Sequence, residues 1–361
     1  MPVPERFKTA AINAGLFLVA LIVALVIAEV LVRSFFFNPY YQCSRKTALQ
    51  DRGEDLVVEL DPDYLYKFKP DRRLGINRDG FRDRDFTADK KGKKRILFLG
   101  DSFVEGVNVD AGASMPKVLE RRLGKGVEVF NMGVVGYGPD QALKVFQKFA
   151  PRLKPDMVIQ GIFPGNDYGD LVKNRLFDVI AQGDVRETAR NPVLDSVFPS
   201  LSFIVNEFNY AVNREKIFRG LDNLLFGDLY NYAMMADMNS SVARAEFLLM
   251  RGVLRKTKQV MDSRKVPYLA VIIPGIESIC DHAPFIARRI PPEKYFFNEQ
   301  MTRMICEAEK IPYVDLTPYF LKAADRCSLY DLKDRHLSEL GYAYAAEIIF
   351  RQLPSSLHQK P

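Results

Sequence analysis

Residues 95–106 read RILFLGDSFVEG. An apolar run stops at Gly100, and an acid (Asp101), a hydroxyl (Ser102) and an aromatic (Phe103) follow in direct succession. A short continuous apolar run is what a strand buried on both faces of a parallel sheet requires. A serine at the strand-to-helix turn after it has its hydroxyl at the carboxyl end of the strand. Its N–H then lies at a helix start, where developing negative charge is favoured. Taken alone, Gly-Asp-Ser is also an ordinary turn, so the rest of the chain has to decide what Ser102 does.

Downstream, strand-like and helix-like stretches alternate. Ser114 caps an expected helix to about Leu123 with Pro116 in its first turn, and VEVFNMG (127–133) reads as a second strand. A helix over Pro139–Leu153 and a strand in DMVIQGIF (156–163) come next. After a break come a helix near Val242–Ser263, a strand in YLAVIIP (268–274), a helix near Pro292–Glu309, a strand in YVDL (313–316) and a helix near Ser338–Leu353. Five strands alternating with helices predict an α/β, flavodoxin-like three-layer sandwich around a five-stranded parallel sheet. Ligands of such sheets bind at the carboxyl ends of the strands. The break, about 170–240, is rich in Phe, Leu, Tyr and Asn and is expected to be a helical insertion over those ends. Its aromatics (Phe177, Phe198, Phe203, Phe208, Tyr210, Phe218, Phe226, Tyr230, Tyr232) suit stacking on sugar rings, lining an acyl pocket, or the insertion's own small core.

The strand ends carry the chemistry. After the second strand, NMGVVGYGPDQ holds Gly133, Gly136 and Gly138. That spacing is not the G-x-G-x-x-G of dinucleotide sites, so no nicotinamide cofactor is expected, and a glycine there can offer an unobstructed N–H to an anion. After the third strand, GNDYGD places Asn166 as an amide donor, or forms a plain turn. After the fifth, DLKDRHLSELGY sets Asp334 two residues before His336. That histidine can take a proton from Ser102 while the carboxylate fixes its tautomer. Asp281–His282 is a rival pair, but adjacent side chains tend to diverge.

Bulk properties bound the rest. The 361 residues are 48% hydrophobic with a formal charge of +6, enough for a substantial core. The one basic run, DKKGKKR at 89–95, precedes a strand and reads as a solvated linker, and no nucleic-acid partner is expected. Thr9–Val32 is an apolar run interrupted only by Asn13 and Glu29. As a helix it would extend roughly 36 Å, enough to cross a core about 30 Å thick. Arg6 and Lys8 precede it and FFFNPYY (35–41) supplies aromatics beyond it, as for an uncleaved anchor with the bulk of the chain outside the cytoplasm. A cleaved signal peptide, with Val26-Ile27-Ala28 as its site, is the competing reading. Residues 1–41 are thus an expected tip and anchor, 42–94 a turn-rich lead-in, and 95–361 the main domain. Cys43, Cys280, Cys306 and Cys327 allow three complete pairings, of which a Cys280–Cys327 bridge is the expected member. Neither their spacing nor the three histidines form a metal motif, so no metal is expected.

Four of these blocks together, FLGDSF, NMGVVGYG, GND and DRHLSELGY, resemble the SGNH hydrolases, also called the GDSL esterase/lipase superfamily, from about Arg95 to Leu353. NRDGFRD (77–83) and GYGPDQ (136–141) further resemble a membrane-anchored bacterial branch associated with envelope polysaccharides. The resemblance implies Ser102 as nucleophile, His336 as general base and acid, and Asp334 as its orienting carboxylate. It implies an oxyanion hole from the N–H of Ser102, the N–H of Gly136 and the Asn166 amide, with Asp101 supporting the turn and no cofactor. Phe103 stands where the family name has leucine, and the acid–histidine spacing is D-x-H instead of D-x-x-H, which keeps Asp331 as a fallback orienter. The implied activity is acyl-ester hydrolysis, or O-acyl transfer, on carbohydrate esters of the cell envelope. A lipolytic enzyme for membrane-derived esters and a catalytically silent glycan-binding scaffold are the alternatives.

Overall fold

The computed structural model describes residues 5–31, 58–174, 176–180, 183–188, 241–280 and 294–357. Cys43, Asp281–His282 and the insertion aromatics from Phe198 to Tyr232 lie outside the described residues. Helix α1 (Glu5–Leu31) belongs to one compact unit and the remaining described elements to a second. Helix α1 exposes its apolar side chains, with Phe17 71% and Leu16 64% accessible. The membrane-crossing helix expected over Thr9–Val32 is not found: among the described residues, no helix is long and apolar enough to cross a membrane.

The second unit opens with an antiparallel hairpin, β1 (Val58–Asp61) and β2 (Leu65–Phe68), inside the segment read as a lead-in. Then follow β3 (Lys94–Gly100), α2 (Ser102–Glu105), α3 (Met115–Leu123), β4 (Val127–Gly133), α4 (Pro139–Leu153), β5 (Met157–Ile162) and α5 (Asp167–Asn174). A short hairpin, β6 (Phe177–Val179) and β7 (Val185–Glu187), precedes α6 (Ser241–Ser263) and β8 (Tyr268–Ile272). The chain ends with α7 (Ile276–Ile279), α8 (Phe297–Ala308), β9 (Tyr313–Asp315), α9 (Thr317–Leu321) and α10 (Glu339–Gln352).

Strands β4-β3-β5-β8-β9 pair in that order, all parallel, so the five-stranded parallel sheet read from the alternation is present. Period-two packing splits its side chains between two faces. Ile96, Phe98, Val129, Ile159 and Val271 enter one core with Leu119 of α3 and Ala345 and Ile349 of α10. Leu97, Leu99, Phe130 and Val158, the alternate positions, are also buried. The order reverses between β3 and β5, the switch point at which open α/β sheets bind ligands. Ser102 and Asn166 follow those two strands.

Of the helical insertion expected at about 170–240, residues 189–240 lie outside the described residues. Its described part beyond α5 is the β6–β7 hairpin, turning through Gly183 at φ 75°. Three-residue strands carry too little periodicity to be read, and the aromatic-rich composition around them suggested helix. The Cys280–Cys327 disulfide forms as expected and closes 47 residues of chain, and Cys306 is a free buried thiol. In the chain-entropy account a loop of that length stabilises the fold by about 4 kcal/mol.

A buried ion pair sits at the pole of the sheet away from Ser102. Arg95 is fully buried at the start of β3. Its Nε donates to Glu128 Oε1 at 2.6 Å, its Nη1 to the Leu153 carbonyl at 2.6 Å, and its guanidinium lies 4.8 Å from the Phe130 ring centroid. Arg95→Met would leave the buried Glu128 carboxylate only its longer 3.9 Å contact with Arg84, and breaking a buried pair costs about 3–5 kcal/mol. We expect a clearly lower urea midpoint, with esterase activity of the folded fraction unchanged.

Candidate active site

The turn after β3 is built by close approach. Val104 of α2 sits against Gly100, Gly133 and Gly161, the carboxyl-end glycines of β3, β4 and β5. A Cβ on Gly133 would overlap the α2 backbone, and one on Gly161 would lie 2.5 Å from Val104 Cγ2. These glycines let α2 sit flush on the end of the sheet and fix the height of Ser102. Asp101 caps the helix, its Oδ1 accepting the Phe103 N–H at 3.0 Å.

The structure brings together residues separated by more than 230 positions. His336 Nε2 lies 2.8 Å from Ser102 Oγ, and His336 Nδ1 lies 3.1 Å from Asp334 Oδ1. With Nδ1 facing the carboxylate, the Nδ1–H tautomer leaves Nε2 free to accept the serine proton. The Nδ1–Asp334 contact is close but not aligned as a full hydrogen bond. Catalytic contacts commonly tighten only when substrate binds. Asp331, the fallback orienter, accepts the Lys333 N–H with its Oδ1 at 2.8 Å and caps the loop. Arg335, between Asp334 and His336, adopts φ 71°. The bend at Arg335 converges its two neighbours, which makes the short D-x-H spacing workable. Its side chain pairs with Glu277 of α7, and a Tyr330–Leu337 bridge closes the loop.

Phe103 packs its ring against the imidazole, centroids 4.7 Å apart, and against Phe163 at 4.1 Å. The aromatic in place of leucine therefore forms one wall of the histidine. Asn108, just after α2, donates to the Leu337 carbonyl at 3.0 Å and ties the serine segment to the histidine loop.

Two backbone amides face no acceptor. The N–H groups of Ser102 and Gly136 make no hydrogen bond among the described residues. Gly136 has φ 70°, a conformation that favours glycine. Asn166 is half-buried, and its Oδ1 has no partner. Ser102 is buried and Gly136 half-buried, so the unpaired N–H of each is a candidate donor to an anionic atom.

Beneath the site lies a buried carboxyl group cluster. Burial pushes Asp101 up to about 7, with Asp170 adding to the rise. Burial also pushes Asp167 well above the usual carboxylate range, Asp101 and Asp170 contributing. Favouring the protonated forms limits negative charge next to the serine. Among the described residues no cluster of His, Cys, Asp or Glu is arranged to hold a metal ion.

The residues around this centre that sequence patterns do not reveal act over long separations. Asn108, Glu277 and Tyr66 belong to no strand-end block, and as isolated polar or aromatic positions they carry no local signal.

With this geometry in view, the profile of the GDSL-like Lipase/Acylhydrolase family matches residues 98–344. No curated protein matches the chain. Among solved structures, the chain is similar to the lipase/acylhydrolase from Enterococcus faecalis, with 14% identity over 74% of this chain and 99% of that one and a TM-score of 0.43. The acetyl xylan esterase AlAXEase has 12% identity over 72% and 100% of the two chains, with a TM-score of 0.42. A GDSL-like lipase from Bacteroides thetaiotaomicron has 13% identity over 74% and 90%, with a TM-score of 0.37.

Proposed function

The chain belongs to the GDSL-like lipase/acylhydrolase family, and from that premise we propose that it cleaves or transfers acyl esters, foremost acetyl esters of cell-envelope carbohydrates, through an acyl-enzyme on Ser102. The observation that carries this reading is the 2.8 Å approach of His336 Nε2 to Ser102 Oγ beside two unpaired amides.

In this mechanism Ser102 Oγ attacks the ester carbonyl as its proton passes to His336 Nε2. Asp334 holds the Nδ1–H and stabilises the imidazolium. The tetrahedral oxyanion accepts from the N–H of Ser102, the N–H of Gly136 and Nδ2 of Asn166. Collapse breaks the ester C–O bond, and His336 returns its proton to the departing alcohol. Water or a sugar hydroxyl then attacks the acyl-serine, giving its proton to His336, and the serine is regenerated. Water makes the protein an esterase and a sugar hydroxyl makes it an O-acyltransferase.

Placement at the envelope is part of the proposal. The Cys280–Cys327 bridge supports a catalytic domain in an oxidising, extracytoplasmic compartment, and the exposed apolar side chains of α1 support association of the N-terminal unit with a membrane surface. The discriminating experiment offers the full chain acetylated oligosaccharides and, in parallel, long-chain glycerol esters. Acetate release, or acetyl transfer to an acceptor glycan, is expected to exceed long-chain turnover. The reverse preference would replace this reading with a lipolytic one, and no turnover of either class would favour a binding module.

A further inference from the structure

We propose that Tyr66 is a positioning residue for the oxyanion hole, its hydroxyl locking the one peptide whose orientation decides whether Gly136 offers a donor or an acceptor to the substrate. The proposal rests on the reading of Gly136 as an oxyanion donor and assigns a partner that holds it.

The Tyr137 N–H donates to the Val134 carbonyl at 3.0 Å, and Gly136 has φ 70°. A four-residue turn closed in this way, with positive φ at its third residue, is of type II. Types I and II differ by a flip of the central peptide, here Val135–Gly136. A trans peptide is planar, with its C=O and N–H pointing in opposite directions. Holding the Val135 oxygen therefore fixes the Gly136 N–H. After a flip the Val135 carbonyl would face where the N–H now faces, and an oxyanion would meet an acceptor. Glycine narrows the free-energy gap between the two states because it occupies positive and negative φ about equally. Of all the peptides around the site, this one most needs an outside hold.

Tyr66 supplies it. From β2 its Oη donates to the Val135 carbonyl oxygen at 2.5 Å, and a Cβ added to Gly136 would lie 2.9 Å from the same Oη. The hold is reciprocated. The Tyr137 hydroxyl donates to the Tyr66 carbonyl, and the two rings meet edge to face with centroids 5.2 Å apart. Glu105, the last residue of α2, accepts the Val135 N–H at 2.8 Å from its fully buried side chain. Residue 135 is thus gripped at its carbonyl by the hairpin before the sheet and at its amide by the helix that carries Ser102. The lead-in segment is in this way part of the catalytic apparatus. Arg82 of the same segment donates to the Gly106 carbonyl at the end of α2, at 2.5 Å.

The test compares Tyr66→Phe with Asn166→Ala in the full chain, using an activated acetyl ester and its thionoester, whose sulfur is a poor acceptor. Deleting an oxyanion donor outright costs about 10²–10³ in kcat, and loosening one should cost roughly tenfold or more. For Tyr66→Phe we expect that loss in kcat, with KM within about twofold of wild type, a reduced preference for ester over thionoester, and an unfolding midpoint lowered by no more than one lost hydrogen bond explains. An unchanged kcat and preference in Tyr66→Phe, with both reduced in Asn166→Ala, would overturn the Tyr66 proposal and leave the oxyanion hole standing. Unchanged values in Asn166→Ala would overturn the oxyanion reading itself and the proposal with it. A Tyr66→Phe variant with a lower unfolding midpoint and raised KM but an intact ester preference would make Tyr66 a packing residue, contrary to the proposal.

Discussion

Replacing Ser102 with alanine is expected to lower ester turnover by about 10⁴–10⁶-fold, the scale of loss when a serine nucleophile or its histidine is removed. The fold should survive. Ser102 is buried, and among the described residues the one side-chain hydrogen bond of its hydroxyl is to His336 at 2.8 Å. Losing a single bond of this kind costs on the order of 1 kcal/mol. His336→Ala should be as damaging, and the double variant no worse than either single one, because the two residues act as a unit. A rate series of this kind is read against unfolding midpoints of the same samples. Additive losses in the double variant would mean that Ser102 and His336 do not cooperate in one step.

The second large effect is expected from Asp334→Asn. An asparagine can present its amide N–H to Nδ1, which favours the tautomer with the proton on Nε2. The imidazole then has no lone pair for the serine proton. In a triad this change costs about 10⁴ in kcat with the geometry intact. The 3.1 Å contact between Asp334 Oδ1 and His336 Nδ1 places the carboxylate where that argument applies. Asp331→Asn is the paired control. An amide oxygen can still cap the Lys333 N–H, so the loop should hold and the rate should stay close to wild type. Steady-state kcat and KM for both variants distinguish the two carboxylates. Equal losses would return the orienting role to the loop as a whole.

What could be read in the sequence was whatever is periodic or local. VEVFNMG is β4 over residues 127–133, and Pro139–Leu153 is α4, because continuous apolar runs and Gly-Pro punctuation report directly on strand and helix ends. The serine, glycine and asparagine blocks were legible because each follows a strand directly, whereas the acid–histidine block lies beyond α9, in the loop before α10. Parallel topology alone then gathers strand ends at one edge of the sheet. The β6–β7 hairpin was not legible, since three-residue strands fall below any periodic signal. Nor was the Val104 socket, since a glycine in a sequence does not disclose what approaches it. Tyr66 shows the same limit more sharply. It lies in a segment read only as a turn-rich lead-in, and only the folded chain brings its hydroxyl to a carbonyl 69 residues away.

The most direct test of the central claim is reaction of the full chain with a fluorophosphonate probe, mapped to the modified residue, beside Ser102→Ala and His336→Ala. The account predicts labelling on Ser102 that disappears in both variants. Labelling that persists in Ser102→Ala, or folded wild-type protein that takes no label, would contradict it.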